Sequence, residues 1–285
     1  MGTIANLFGY LLNFIYEMVK NYGLAIIIFS VVLKIVMLPI SIKQQKSMKK
    51  SAEMQGKIKA LQDKYKNNPE QLNKETMQLY KDEKMSPFSG CLSAIAQIVI
   101  LLSMFYLVRS PLTHMRKVEP QIIEDYTNQI QAELPEGEKK SAYPEINIIE
   151  KKGPEDERVN VNMNFLGLNL SLVPSGALNN PTAYIIPALY VISSFISMRI
   201  TTNMQNKKKE TEKTENKEVD AVMQANKSMM YLMPVMSVSI SLIAPLGLAL
   251  YWLINNILMI VERVVLDKFV LKEKEETKEV IIDAK

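Results

Sequence analysis

Charge is segregated along this chain, and that segregation limits what it can fold into more than any other feature. Residues 89–108, 182–198 and 228–261 carry no formal charge, and residues 21–42 carry only Lys34. Lys and Glu are dense between these stretches. Apolar runs of this length cross a hydrocarbon core of about 30 Å as helices. The last run, 34 residues long, has Pro245-Leu246-Gly247 at its middle; Pro and Gly together end one helix and turn the chain, which divides the run into two spans. The expected fold is an all-α integral membrane protein with five transmembrane helices, at 22–42, 90–110, 182–202, 228–244 and 246–262.

Orientation follows from the loops that carry Lys and Arg. Residues 43–89 hold eleven Lys against six acids, and residues 113–180 hold seven Lys or Arg against eleven acids. The first segment is expected inside and the second outside, giving an N-out/C-in chain. The Lys-rich linker 203–227 and the tail 263–285 then also fall inside. A net charge of +4 suits contact with an anionic lipid bilayer and is too small to argue for nucleic acid by itself. The one cysteine, Cys91, allows no internal disulfide. Residues 1–21 lack the basic start and small-residue cleavage site of a signal peptide. Their Ile4, Leu7, Leu11, Phe14, Ile15 and Met18 recur at helical spacing, which predicts an amphipathic helix lying at the outer interface.

Residues 43–89 are expected to form a helical hairpin off the inner face. Met54, Ile58, Leu61 and Tyr65 make a stripe at steps of three and four. In "KNNPEQLNKE", Asn68 can cap the second helix, Pro69 suits its first position, and Gln71 completes a capping-box pattern. Eighteen methionines, Met48, Met54 and Met77 among them, offer adaptable apolar surface, although filling helices is the simpler account of them. The segment 111–181 is acidic, and its middle, "LPEGEKKSAYPEINIIEKKGPEDE", reads as flexible connection. "MNFLGLNLSLVPSG" is apolar but interrupted by Asn and Gly, so it is expected at the membrane surface.

No enzyme motif stands out: one histidine, His114, no Walker loop, and no metal-spaced Cys or His set. No cofactor and no small-molecule substrate are expected. What stands out is Lys34. It lies eight residues before Ile42, about 12 Å along a helix, where a charge costs roughly 2.5–3.5 kcal/mol at the bilayer centre and less if it can reach water. A snorkelling lysine is the plain account. Against it stands the polar company in other spans: Ser30 one turn away on the same face, Gln97 in the second span, and Tyr251, Trp252, Asn255 and Asn256 in the fifth. Interhelical hydrogen bonding and interface anchoring would explain these singly. Together, and with no Asp or Glu expected in any span to neutralise Lys34, they predict a hydrated groove.

These residues resemble the YidC/Oxa/Alb family of membrane-protein insertases, compact bacterial YidC type. The likeness is carried by "YGLAIIIFSVVLKIVMLPISIKQQKSMKK", "ETMQLYKDEKMSPFSGCLSAIAQIVIL", "TAYIIPALYVISSF" and "MMYLMPVMSVSISLIAPLGLALYWLINN", four blocks in order at span boundaries. It implies a five-helix core around a hydrophilic groove and a bacterial cell-membrane location. It places Lys34, Ser30, Gln97 and Trp252 where groove and client-contacting positions lie in the family. Most members have an arginine at the position of Lys34, so the charge is kept and the planar fork is lost. The second span also lacks a proline after Gln97. The implied partners are nascent membrane proteins, received by the hairpin through Met48, Met54, Ile58, Leu61 and Tyr65, with the ribosome and the Sec translocon as further candidates. A small multispan transporter or a membrane-anchored scaffold are the alternatives.

Overall fold

The computed structural model describes residues 2–66, 68–83, 89–135, 140–177, 179–206 and 238–266, with side chains for all of these except 47–49, 51–53, 55, 89–97 and 201–206. Helix α1 spans Gly2–Val19, α2 Tyr22–Lys64, α3 Pro69–Asp82 and α4 Ser89–Arg109. A π-helical turn at Leu112–Arg116 leads to α5 (Pro120–Ala132) and α6 (Pro144–Lys152). A two-stranded hairpin, β1 (Asn164–Phe165) and β2 (Leu168–Asn169), precedes α7 (Ile185–Asn206) and α8 (Leu246–Val265). Among the described residues, three stretches are long and apolar enough to cross a membrane: Tyr22–Lys46, Pro181–Ile200 and Leu246–Val265. In α4 the apolar described stretch is the shorter Ile98–Arg109. Of the expected fourth span, 228–244, residues 238–244 are described, helical over 238–243, and 207–237 and 267–285 lie outside the described residues.

Helix α2 is one unbroken element of 43 residues, about 65 Å at 1.5 Å per residue. The apolar span and the first arm of the hairpin are therefore the same helix. It starts at Asn21, whose side chain accepts the Leu24 N–H at 3.0 Å, and it continues past Pro39. Asn68 caps α3 by accepting the Gln71 N–H at 3.1 Å, with Pro69 in the first turn as the sequence predicts. The reciprocal half of the capping box is replaced: the Gln71 amide donates to Glu75, one turn on, at 3.0 Å. Pro187 falls in the first turn of α7, where its missing N–H is one of the helix's unpaired donors, so no kink is required.

Burial concentrates at one end of the bundle. Tyr22, Ala25, Ile26 and Phe29 of α2 pack with Met104, Leu107 and Val108 of α4, and with Leu246, Leu248 and Ala249 of α8. Helix α1 adds Leu12, Ile15 and Tyr16. The apolar stripe expected along α1 is thus divided: Ile15 faces the protein, whereas Leu7, Phe14 and Met18 are exposed. The segment expected at the membrane surface folds over this end instead. Leu170 and Leu172 carbonyls accept the Gly247 and Leu246 N–H groups at 3.0 and 2.9 Å, which satisfies two of the donors that open α8. The Asn162 carbonyl accepts the Tyr22 N–H at 3.0 Å at the start of α2. The turn joining β1 to β2 puts Leu166 and Gly167 both at positive φ, the geometry of a two-residue hairpin loop.

The stretch read as flexible contains α6, whose Ile146, Ile148 and Ile149 are buried. Its Glu145 is also buried and accepts the Leu112 N–H at 2.7 Å, the Thr113 N–H at 3.0 Å and the Thr113 hydroxyl at 2.6 Å. Desolvation pushes the Glu145 carboxyl up, against the pull of these donors. A raised value means that this group contributes its full stability below the ordinary carboxyl range and loses it as pH rises through the folded value. Thermal midpoints of the full chain in detergent are therefore expected to fall for wild type relative to Glu145→Gln as pH is raised from about 4 to neutrality. A constant difference would show that the burial of Glu145 does not set this dependence.

Candidate functional site

Beyond the packed end, α2 and α8 bring opposite charges together. Lys34 Nζ lies 2.5 Å from Glu262 Oε2, with the lysine side chain 22% exposed and the glutamate 7%. This corrects the expectation that no acid in any span neutralises Lys34: Glu262, at the last position of the fifth span, does so. Lys34 lies about 18 Å along α2 from Tyr22, and Glu262 about 24 Å along α8 from Leu246, so the pair sits past the sealed end of both helices. Taking both ions out of water is unfavourable, and their attraction offsets it only with good geometry and further hydrogen bonds. Here the second carboxylate oxygen, Glu262 Oε1, is buried with no hydrogen-bond partner among the described residues.

The other predicted residues separate by helical phase. Tyr251, Asn255, Leu258 and Glu262 follow steps of four, three and four and share one face of α8. Asn255 is partly exposed and Tyr251 is buried. Trp252 and Asn256 belong to the face against α7. Trp252 lies 6.1 Å from the Tyr190 ring, and the Asn256 amide donates to Ser193 and Ser194 hydroxyls at 3.0 and 3.1 Å. Asn256 therefore joins two helices, the role that interhelical hydrogen bonding would give it. Ser30 shares the Lys34 face of α2, but its hydroxyl donates back to the Ile26 carbonyl at 2.7 Å and the residue is buried. The side chain of Gln97 lies outside the described residues.

In the hairpin, Met54 is buried, and Ile58, Leu61 and Tyr65 are half-buried; the Met48 side chain is not among those described. Leu61 lines a cleft of about 360 Å³ between the arms, with Lys57, Lys64, Gln78 and Leu79. The arms are tied at their far end by Glu83. Its side chain pairs with Lys57 at 2.5 Å and with Lys50 at 3.7 Å, and the Lys50 ammonium also donates to its carbonyl.

The family model described as "60Kd inner membrane protein" matches residues 14–274. The chain belongs to this family. It is accordingly a multi-pass protein of a bacterial cell membrane, and the resemblance read from its motifs holds. A membrane protein insertase YidC of Fusobacterium nucleatum is 27% identical over 254 residues, 89% of this chain and 90% of that one. One from Pelobacter propionicus is 30% identical over 261 residues, 92% of this chain but 38% of that one. One from Caldanaerobacter subterraneus is 44% identical over 110 residues, 39% of this chain and 53% of that one. The match thus spans about half of the Caldanaerobacter relative's length, and a smaller share of the Pelobacter one. Within this member of the 60Kd inner membrane protein family, the matched region includes both members of the ion pair. Sequence alone does not single out Glu262, because it closes a charge-free run and reads as its boundary. The signal that could have found it is its phase with Tyr251 and Asn255.

Proposed function

We propose that the chain is a membrane protein insertase that moves nascent apolar segments from the cytoplasm into the bilayer. Five spans, oriented N-out/C-in, would enclose a groove open to the cytoplasm and to lipid. The observation that carries this reading is a charged pair set inside a bundle whose opposite end is closed by close packing. A client's short hydrophilic tail must cross an apolar layer, and desolvation is the main barrier. Lys34, Glu262 and Asn255 would receive that tail part-way across. The client's apolar helix then leaves between spans into lipid, driven by removal of its own apolar surface from water. No covalent step and no cofactor enters this scheme. The hairpin, with Met54, Ile58, Leu61 and Tyr65 along one arm, would meet the client first. The Sec translocon and the ribosome would be partners at the cytoplasmic side.

Site-specific photo-crosslinking to a stalled nascent single-span protein tests this. A photoreactive residue at position 255 should give a client adduct. One at position 250, where Leu250 is buried in the packed end, should give none. Equal labelling at both positions would remove the closed end from the scheme, and no labelling at 255 would favour a membrane-anchored scaffold acting through its hairpin.

A further inference from the structure

We infer that Glu262 is a specificity-determining residue. It makes the groove accept both acidic and basic residues in the client's translocated segment, where a lone Lys34 would select acidic ones. This rests on the insertase reading above.

Three observations lead to it. Lys34 and Glu262 oppose each other at 2.5 Å, so a client carboxylate that takes another of the ammonium's three donors meets a cation that Glu262 already pairs. It gains far less there than at an unpaired cation. Second, Glu262 uses one oxygen on Lys34, while Oε1 is buried with no hydrogen-bond partner among the described residues. An ionised carboxylate has about four acceptor positions, so Glu262 can take the ammonium or guanidinium of a client while its other oxygen stays on Lys34. Third, Glu262 is shielded from water, 7% exposed, and a charge at such a site interacts more strongly than at a surface. Between them Lys34 and Glu262 carry no net charge, against +1 without Glu262. Glu262 thus offsets the cationic bias of a lone Lys34.

The test uses the full-length chain in liposomes without a membrane potential, which would otherwise drive charged tails by itself. The clients are single-span proteins whose short translocated tails differ at one position: Asp, Asn or Lys. For wild type, the Asp and Lys clients should insert within about threefold of each other. Glu262→Gln should move the Asp-to-Lys ratio toward Asp by about tenfold, and Lys34→Gln should move it as far toward Lys. The charge-swapped chain K34E/E262K should return the wild-type ratio. If Glu262→Gln leaves the ratio unchanged while Lys34→Gln shifts it, the inference is overturned and the groove reading stands. If neither shifts it, the groove reading fails as well.

The neutral pair K34Q/E262Q removes both charges of the pair together and covers the case in which Glu262→Gln alone does not fold. It should insert the Asn client as wild type does and lose about tenfold on both charged clients. Undiminished insertion of both charged clients by that chain would also overturn the proposal.

Discussion

Truncating Lys34 to alanine is expected to destabilise the bundle before any client is offered. The substitution strands Glu262, 7% exposed, as an unpaired carboxylate among apolar helices. Breaking one side of a buried pair costs roughly 3–5 kcal/mol. The lysine side chain is 22% exposed and so retains some water, which places the expected loss near the lower end of that range. Lys34→Glu should be worse, because it sets two carboxylates against each other. Lys34→Arg keeps the charge and should stay close to wild type. Adding Glu262→Gln to the alanine variant should restore most of the lost stability, read as denaturant or thermal midpoints of the full chain in detergent. If the double variant is as unstable as Lys34→Ala, packing of the lysine stem, and not the charge, holds the two helices.

Gly9→Ala is the second change with a large expected effect. A Cβ at Gly9 would lie 1.8 Å from the His114 carbonyl oxygen. That atom belongs to the backbone of the π-helical turn, which Glu145 holds through the Leu112 and Thr113 N–H groups, so it has little freedom to withdraw. Overpacking of this kind costs about 1–3 kcal/mol or more, and α1 should be displaced from α4. Gly23→Ala offers the comparison. Its added Cβ would meet Phe165 Cγ at 2.4 Å and Cβ at 2.6 Å, which rotation of the ring does not relieve, but the short two-stranded hairpin that carries Phe165 can shift as a unit more readily than the turn that Glu145 holds. The midpoint of Gly9→Ala should therefore fall well below that of Gly23→Ala; the reverse order would mean that α1 is loosely attached.

Much of this fold is legible in the sequence because membrane helices and caps leave strong local signals. The apolar runs give α2, α7 and α8 their cores, and Asn68 with Pro69 announces α3. Lys34 is visible for the same reason, as the lone charge in its run. Its partner is not, because pairing across the bundle depends on the rotation of α8, and no spacing within α2 reports it. Neighbouring asparagines show the same gap: Asn255 and Asn256 are about 100° apart on a helix, and only the packing of α7 says which one bonds to it. Helix α6 was hidden by composition, since Pro, Glu and Lys around Ile146, Ile148 and Ile149 read as solvent-exposed chain. What orders it is Glu145, whose acceptors meet donors more than thirty residues earlier in the chain.

The continuity of α2 has a mechanical consequence. The arm that carries Met54 and the segment that carries Lys34 form one rod, with no loop between them to absorb motion. Its compliant point is Pro39, which removes one backbone hydrogen bond and favours bending there. Pro39 lies between the two, little more than a turn from Lys34. Weight placed on the hairpin is thus transmitted as torque about that point, and the ammonium at the short end of the lever is the part held in place by Glu262.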